Sequence, residues 1–449
     1  MDGAQVTQGQ PEGFDAEALA QVPAAMQAMI DQGALSGMVT LVWRKGEIVQ
    51  LNTLGSRDLA TKAPMQRDTL FRIASMTKPV TSVAAMMLVE EGKLKLDDPI
   101  TRWIPELADL QVLKDAAGPL DDTYPAPRDI TVEDLLTHRS GLAYAFTSMG
   151  PIAHAYEKTL GPPLGYGVSP DWWLEKLGTL PLSYAPGERF HYSHATEVLS
   201  FLIARIEGKT LGEVLRERVF APLGMNDTDF WMPPEKAGRI ARLYKAVEGP
   251  LEDVSWPEPA QRLEFEAGGG GLISTADDYL KFARMMLGGG KVDGVRLLNA
   301  ETVALMRANR LTEEQRSHGF LGMPFWLSQG FGLGVSMILD SEKHQWMGAG
   351  GEGAFGWPGA FGTWWQADPT EDMILIFLIQ DSMPLGPEAV TAMQGERPSG
   401  RLALPIFQKM VRGPAQIGAT ADGAPRRSAA HRWSRPPASL RAPPAGAPG

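Results

Sequence analysis

From Asp15 onward the apolar residues Leu19, Val22, Met26 and Ile30 recur at helical spacing, and Gly33 closes the run. This spacing predicts an amphipathic helix at the start of the chain. The period then changes. Residues 38–43 and 48–51 are apolar runs of strand length around Arg44-Lys45-Gly46-Glu47, where glycine permits the positive φ of a tight turn; they predict a hairpin. After Ser75, the residues Val80, Val83, Ala84, Met87 and Leu88 trace one face of a second helix that Gly92 ends. Pro79 falls in its first turns, where a missing N–H costs least.

Between residues 96 and 189 Pro, Gly and Asp are frequent and the amphipathic pieces are short, 132–136 and 171–177 among them. The pattern predicts a mainly helical, loop-rich stretch. Helices are expected over 198–206 and 215–220, and Ser274 or Thr275 is placed to cap another that runs through Leu280, Phe282 and Met286. Residues 361–367 and 373–380 are apolar and aromatic runs joined by Asp368-Pro369-Thr370-Glu371-Asp372, a second hairpin pattern. Strands at both ends with helices between them predict an α/β fold whose antiparallel sheet is assembled from the two termini. The expected organisation is an α/β region from 15–95 and 196–412, a mainly helical region from 96–195, and a tail.

That tail, 413–449, turns to Ala, Pro, Gly and Arg without apolar periodicity and reads as disordered. It carries five Arg against one Asp, so the rest of the chain is more acidic than the overall net charge of −11. An acidic surface disfavours nucleic acid and anionic membrane as partners. With 44% hydrophobic and 21% charged residues, the 449-residue chain has ordinary globular usage and enough length for a sizeable core. No run approaches the ~20 apolar residues that cross a bilayer. The first residues lack a basic start followed by an apolar stretch, so they do not read as a secretory signal, and a cytoplasmic location is the expectation. The absence of cysteine removes disulfides, thiolate metal sites and a cysteine nucleophile together.

The chemistry begins at Ser75-Met76-Thr77-Lys78. Ser75 stands where the second helix starts, so free N–H groups and the helix dipole favour negative charge beside it. Lys78, three residues on, shares its helical face. Serine is a poor nucleophile until a neighbour accepts its proton, and a lysine drawn partly out of water can be that neighbour. Alone, the four-residue pattern is better read as a capping serine with a solvated lysine, because serine and lysine are common.

The surrounding segments decide between these readings. Residues 71–80 with Glu90-Glu91-Gly92-Lys93-Leu94-Lys95-Leu96-Asp97-Asp98-Pro99 resemble the start of the serine β-lactamase and penicillin-binding-protein superfamily. Leu135-Leu136-Thr137-His138-Arg139-Ser140-Gly141-Leu142 is similar to a recurring loop of that superfamily. Tyr192-Ser193-His194 stands where its Tyr-x-Asn motif stands, followed by Phe220-Ala221-Pro222-Leu223-Gly224-Met225, and Trp357-Pro358-Gly359 stands at the third motif. Three motifs in this order, over roughly residues 15 to 411, imply a β-lactamase/transpeptidase-like fold, an antiparallel sheet flanked by helices plus a helical region.

Two departures matter. Class C β-lactamases have asparagine where this chain has His194 and lysine where it has Trp357, and a tryptophan there resembles family VIII carboxylesterases. An apolar Trp357 face suits a neutral ester better than the carboxylate of a penicillin. The resemblance implies a serine carboxylesterase acting on small, short-acyl esters, with Ser75 as nucleophile, Lys78 as proton acceptor and Tyr192 as the shuttle to the leaving alkoxide. It implies an oxyanion hole from the backbone N–H groups of Ser75 and Ala360, and substrate contacts from Trp357, Gly359 and His194. A small-molecule ester is the partner implied, with neither nucleic acid nor membrane, and no metal or cofactor is implied.

Other readings stay beside this one: a β-lactamase or D-alanyl carboxypeptidase, an acyltransferase or amide hydrolase on the same scaffold, weak β-lactam opening as a side activity, and, last, a non-catalytic sensor. An α/β-hydrolase needs Gly-x-Ser-x-Gly, and no serine here has both glycines. His138 reads as structural, His191 and His194 lack an acidic third ligand nearby in sequence, and the run Gly268-Gly269-Gly270-Gly271 reads as a tight backbone approach rather than a phosphate loop. Phe325, Trp326, Phe331 and Trp346 could wall a pocket but belong more often to a core.

Overall fold

A computed structural model describes residues 4–5, 16–161, 167–246, 249–383 and 400–416. The strands β1 (Ala4–Gln5), β2 (Gly37–Arg44), β3 (Glu47–Asp58), β4 (Ala63–Pro64), β5 (Gln329–Phe331), β6 (Ser336–Ile338), β7 (Phe355–Gly356), β8 (Trp364–Asp368) and β9 (Met373–Leu378) form one sheet. Its order is β1-β3-β2-β9-β8-β7-β6-β5, with β4 paired to the end of β3, and every pairing is antiparallel. Both predicted hairpins are present, and β2 and β9 join them, in register from Arg44↔Met373 to Val39↔Leu378. Between β2 and β3 the turn residues Lys45 and Gly46 have φ of 45° and 95°. Positive φ at both centres gives the turn the twist that a two-residue hairpin needs.

The side-chain period of two sorts each strand between two cores. Ile374, Ile376 and Leu378 share the main core with Val39, Leu41 and Trp43. Met373, Leu375 and Phe377 face the other way, with Met38 and Val42. Helices α1 (Ala16–Asp31) and α5 (Ala403–Gln416) close that second face through Val22, Met26, Phe407 and Val411. On the first face lie α2 (Thr77–Glu90), α3 (Ala195–Glu207) and α4 (Ala276–Leu287), the last capped by Thr275, whose hydroxyl accepts from the Asp278 N–H over 3.2 Å. Burial on both faces explains why the strands read as nearly continuous apolar runs rather than alternating ones.

Among the described residues the stretch 96–195 holds helices Val132–Leu136, Pro151–Leu160 and Pro170–Leu177, single 3-10 turns at Ile100–Arg102, Pro105–Leu107 and Ala145–Thr147, and a ribbon of Gln111–Leu113 with Thr123–Pro125, joined by loops. Proline opens two of these helices and Gly161 and Gly178 end them, so none grows long. Ile100, Leu135 and Trp173 of this stretch nevertheless lie in the same core as Val39 and Ile376. The tail boundary moves, because α5 continues to Gln416; the rest of the expected disordered tail lies outside the described residues. No described helix is long and apolar enough to cross a membrane.

Candidate active site

Ser75 is delivered by a short strand and a strained residue. Phe71–Arg72 pairs with Ile273–Ser274, and the Gln380 side chain grips the Arg72 backbone from the other side: it accepts from the N–H over 3.3 Å and donates to the carbonyl over 3.0 Å. Ala74 follows with φ of 46°, a left-handed conformation that costs an L-residue roughly 1–2 kcal/mol. The chain thereby swings into the turn Ala74–Met76 and on into α2. Ser75, half-buried, sits in that first turn, where N–H groups lack an intrahelical acceptor.

One turn later the Lys78 side chain is 1% exposed. Its Nζ lies 3.4 Å from Ser75 Oγ, 3.1 Å from the Tyr144 hydroxyl and 2.6 Å from the Gly269 carbonyl. Three neighbours match the three donors of an ammonium; if Lys78 is neutral, its lone pair can accept from a hydroxyl, that of Ser75 or of Tyr144. Tyr144 in turn donates to Glu197, whose two carboxylate oxygens each lie 3.1 Å from the hydroxyl. Tyr144 and Glu197 are both buried. Burial pushes the Tyr144 hydroxyl well above its ordinary range, and the Glu197 charge adds to this. Burial likewise raises the Glu197 carboxyl, against the opposing pull of Lys78 and the Tyr144 hydrogen bond.

The glycine run forms the floor of this cluster. A Cβ on Gly268 would come within 2.4 Å of the Ser200 Cβ, and one on Gly269 within 2.4 Å of the Glu197 carboxylate. The Gly268 carbonyl accepts from Thr81 Oγ1 over 2.8 Å, next to the Gly269 carbonyl that takes Lys78. A close backbone approach is therefore what the glycines provide.

Tyr192 lies just before α3 with its ring face toward Lys78, the Nζ being 4.6 Å from the ring centroid. Its hydroxyl accepts from Trp357 Nε1 over 3.0 Å, and among the described residues it makes no hydrogen bond to Lys78 or Ser75. Lys78 meets the hydroxyl of Tyr144 instead. Trp357 is 2% exposed, packed by Phe331 and Phe320 with ring centroids 5.0 and 6.0 Å away. The free apolar face expected of Trp357 is thus buried, because neighbouring aromatics and Tyr192 already occupy it.

Gly359 has no space for a side chain: a Cβ would meet Thr363 Oγ1 at 2.1 Å and the Ile73 carbonyl at 2.3 Å. Its N–H donates to the Thr363 carbonyl over 2.7 Å, and Thr363 Oγ1 donates to the Ile73 carbonyl over 3.0 Å. The turn carrying Ala360 is thereby fastened to the chain that enters Ser75. Among the described residues the Ala360 N–H has no backbone acceptor.

His194 precedes α3, its ring edge-on to Tyr144 at 4.2 Å between centroids and its Nδ1 3.8 Å from Glu197, an acidic neighbour one helical turn on that corrects the sequence expectation of none nearby. Burial, helped by the charge of Lys78, lowers it to about 3. With Tyr144, Phe146, His154 and Tyr156 it borders a cavity of about 880 Å³. His138 lies against the Tyr192 ring at 4.6 Å and is likewise driven well below its ordinary value by burial first and Lys78 second, so it is a neutral packing ring. Phe325, Trp326 and Phe331 join the aromatic cluster around Trp357, whereas Trp346 is 49% exposed and outside it. Tyr144, Glu197, Thr363 and Phe320 are the residues sequence reasoning missed. A glutamate inside the apolar run 195–203 was a usable sign; Tyr144, in a patternless loop, offered none.

The beta-lactamase family profile matches residues 22–395. The chain belongs to the beta-lactamase family. Protein Rv1367c of Mycobacterium tuberculosis is 53% identical over 375 residues, covering 83% of this chain and 92% of that protein. Esterase EstB of Burkholderia gladioli is 34% identical over 294 residues, 60% of this chain and 71% of the esterase. Among solved structures, EstCE1, described as a hydrolase with promiscuous acyltransferase activity, superposes with a TM-score of 0.72 at 25% identity, covering 88% of this chain and 99% of that one. The fold is accordingly the β-lactamase/transpeptidase fold, and this member of the beta-lactamase family is a serine hydrolase.

Proposed function

We propose that the chain is a carboxylesterase of the family VIII type that hydrolyses small, short-acyl esters through an acyl-enzyme on Ser75. The observation that carries this reading is the approach of a buried Lys78 Nζ to Ser75 Oγ, 3.4 Å, at the head of α2. Lys78 takes the Ser75 proton as Oγ attacks the ester carbonyl. The oxyanion is received by the N–H groups of Ser75 and Ala360. Because Tyr192 accepts from Trp357, its own O–H proton is free to go to the leaving alkoxide, while Lys78 keeps the proton it took from Ser75. Water then enters along the path of the departed alcohol and gives a proton to the Tyr192 phenolate as its oxygen attacks the acyl carbonyl, and Lys78 returns its proton to Ser75 Oγ as the acid leaves.

The aromatic packing of Phe320 and Phe331 on Trp357 supports a neutral acyl group, since the third motif presents an indole and not a cation for a substrate carboxylate. The names of EstB and EstCE1 point the same way. Acyl transfer to an alcohol other than water is the second reading, favoured by the acyltransferase activity that the description of EstCE1 gives it. β-Lactam opening ranks below both.

The test is hydrolysis of a short-chain nitrophenyl ester and of a chromogenic cephalosporin by one preparation, with Ser75→Ala beside it. Ester turnover that disappears in a folded Ser75→Ala protein is expected, with lactam turnover far lower. Wild-type ester turnover in Ser75→Ala would remove Ser75 from the mechanism, and a preference for the cephalosporin would reverse the substrate assignment.

A further inference from the structure

Lys78 can accept a proton from Ser75 only after losing one of its own, and the structure shows where that proton can go. Tyr144 Oη stands between Lys78 Nζ, at 3.1 Å, and both oxygens of Glu197, at 3.1 Å each. We propose that Tyr144 and Glu197 form an internal relay that discharges Lys78: the buried Glu197 carboxylate takes the ammonium proton through the Tyr144 hydroxyl, which leaves Lys78 neutral and ready to activate Ser75. The inference rests on the Ser75 nucleophile reading above and deepens it.

The step balances without any outside reactant. One Lys78 N–H bond breaks as Tyr144 Oη gains that hydrogen, and the original Tyr144 O–H bond breaks as a Glu197 oxygen gains its hydrogen. Tyr144 ends as the same neutral phenol, and a separated pair of charges becomes a neutral amine and a neutral acid. Burial favours that direction. Lys78 is 1% and Glu197 2% exposed, and keeping two ions out of water costs several kcal/mol each before their attraction is counted. The raised Glu197 carboxyl agrees with a group that holds a proton readily.

The other titratable groups packed against the relay do not offer a rival path. Ser75 is the group to be activated. Tyr192 presents its ring face to Lys78 and its oxygen to Trp357. His138 and His194 are both held neutral by burial and by the charge of Lys78, so neither is a ready acceptor for its proton. The glycine run belongs to the same design: Gly269 leaves the space that the Glu197 carboxylate fills. Glu197 does not touch Ser75 and is a positioning residue, acting through Tyr144 and Lys78.

The test follows covalent labelling of Ser75 by a fluorophosphonate, read as intact mass against time and pH, because labelling needs an activated nucleophile but no knowledge of the natural ester. Glu197→Gln keeps the shape and can still accept from Tyr144, yet cannot hold the extra proton. Labelling is expected to slow by about 100-fold near neutral pH, the size of a proton-transfer contribution, and to recover as the medium becomes strongly alkaline and hydroxide removes the lysine proton directly. Tyr144→Phe breaks the bridge and should give the same displaced profile, with the double variant no slower than either single one. Glu197→Asp, which restores an acceptor, should recover part of the neutral-pH rate. Wild-type labelling rates across pH in both folded single variants overturn the relay and leave the nucleophile assignment standing. A wild-type enzyme that is not labelled, or is labelled equally in Ser75→Ala, overturns that assignment and the relay with it.

Discussion

The indole N–H of Trp357 donates to the hydroxyl of Tyr192 over 3.0 Å, joining two residues 165 positions apart in the chain. The bond uses an acceptor site of the phenol oxygen and so turns the phenol proton away from the indole. Trp357→Phe keeps an aromatic ring in the cluster but removes the donor. A net loss of about 1 kcal/mol in stability is expected, with kcat for a nitrophenyl ester falling about tenfold and KM nearly constant. Steady-state kinetics with a urea melt check it; a rise in KM at constant kcat would make Trp357 a substrate contact instead.

Thr363 ties the Ala360 turn to the Ile73 carbonyl. Thr363→Val has nearly the same shape and deletes that bond, leaving the Ile73 carbonyl without the hydroxyl donor. The Ala360 N–H should then lose its alignment with Ser75 and kcat should drop roughly tenfold or more, a part of what deletion of an oxyanion donor costs. If rates and melting temperature both stayed at wild-type values, the fastening described here would be irrelevant to catalysis.

Neighbouring glycines should separate stability from activity. Gly268→Ala drives a Cβ into the Ser200 Cβ of α3, a contact that cannot rotate away, and should cost about 1–3 kcal/mol of stability. Gly269→Ala meets the Glu197 carboxylate, the far end of a side chain that can swing aside. Its main effect should be a lost Glu197–Tyr144 bond and slower turnover, with a smaller shift in melting temperature. The two variants are compared by denaturation and by ester kinetics on the same preparations.

The acid limb of stability should carry the mark of His194. Its folded value of about 3 lies below the ordinary 6.5, so the unfolded chain binds a proton that the folded one refuses. Its contribution is therefore complete above pH 6.5 and is lost as the pH falls towards about 3, by roughly 1.4 kcal/mol per pH unit. His194→Asn should flatten the decline of the urea midpoint between neutral pH and about pH 4. An unchanged slope would mean that His194 is protonated normally in the folded enzyme.

Elements were legible where one physical cause acts locally. Leu19, Val22 and Met26 mark α1 because a helix with one buried face must repeat at 3.6 residues, and Lys45-Gly46 marks a hairpin because few residues tolerate its φ. The Gly268–Gly271 run was readable as a close approach, though not as an approach to Glu197. Within the site, spacing links Ser75 only to Lys78, three residues on; Tyr192, Trp357 and Gly359 enter the sequence reading through the resemblance of their motifs. The aromatic packing that buries Trp357 comes from Phe320 and Phe331, which no local pattern connects to it. Tyr144 and Glu197 meet because the loop after Leu142 folds over the start of α3, and hydrogen bonds across 53 positions leave no periodic trace.

The central pairing of β2 with β9 has a consequence for how the protein comes into being. Residues 39–44 leave the ribosome more than 300 positions ahead of residues 373–378, to which they are hydrogen-bonded. At roughly 5–20 residues per second, that interval is on the order of tens of seconds. For most of it the nascent chain carries Ser75, Lys78 and, later, Tyr144, but neither the Gly359–Thr363 turn nor the last strands of the sheet. Such a topology folds slowly, since its contacts are distant in sequence. With Ser75 as the proposed nucleophile and the Ala360 turn as its proposed oxyanion donor, an unfinished polypeptide holds the serine without its full site, and reactivity of Ser75 towards an acylating probe would serve as a clock for the final closure of the sheet.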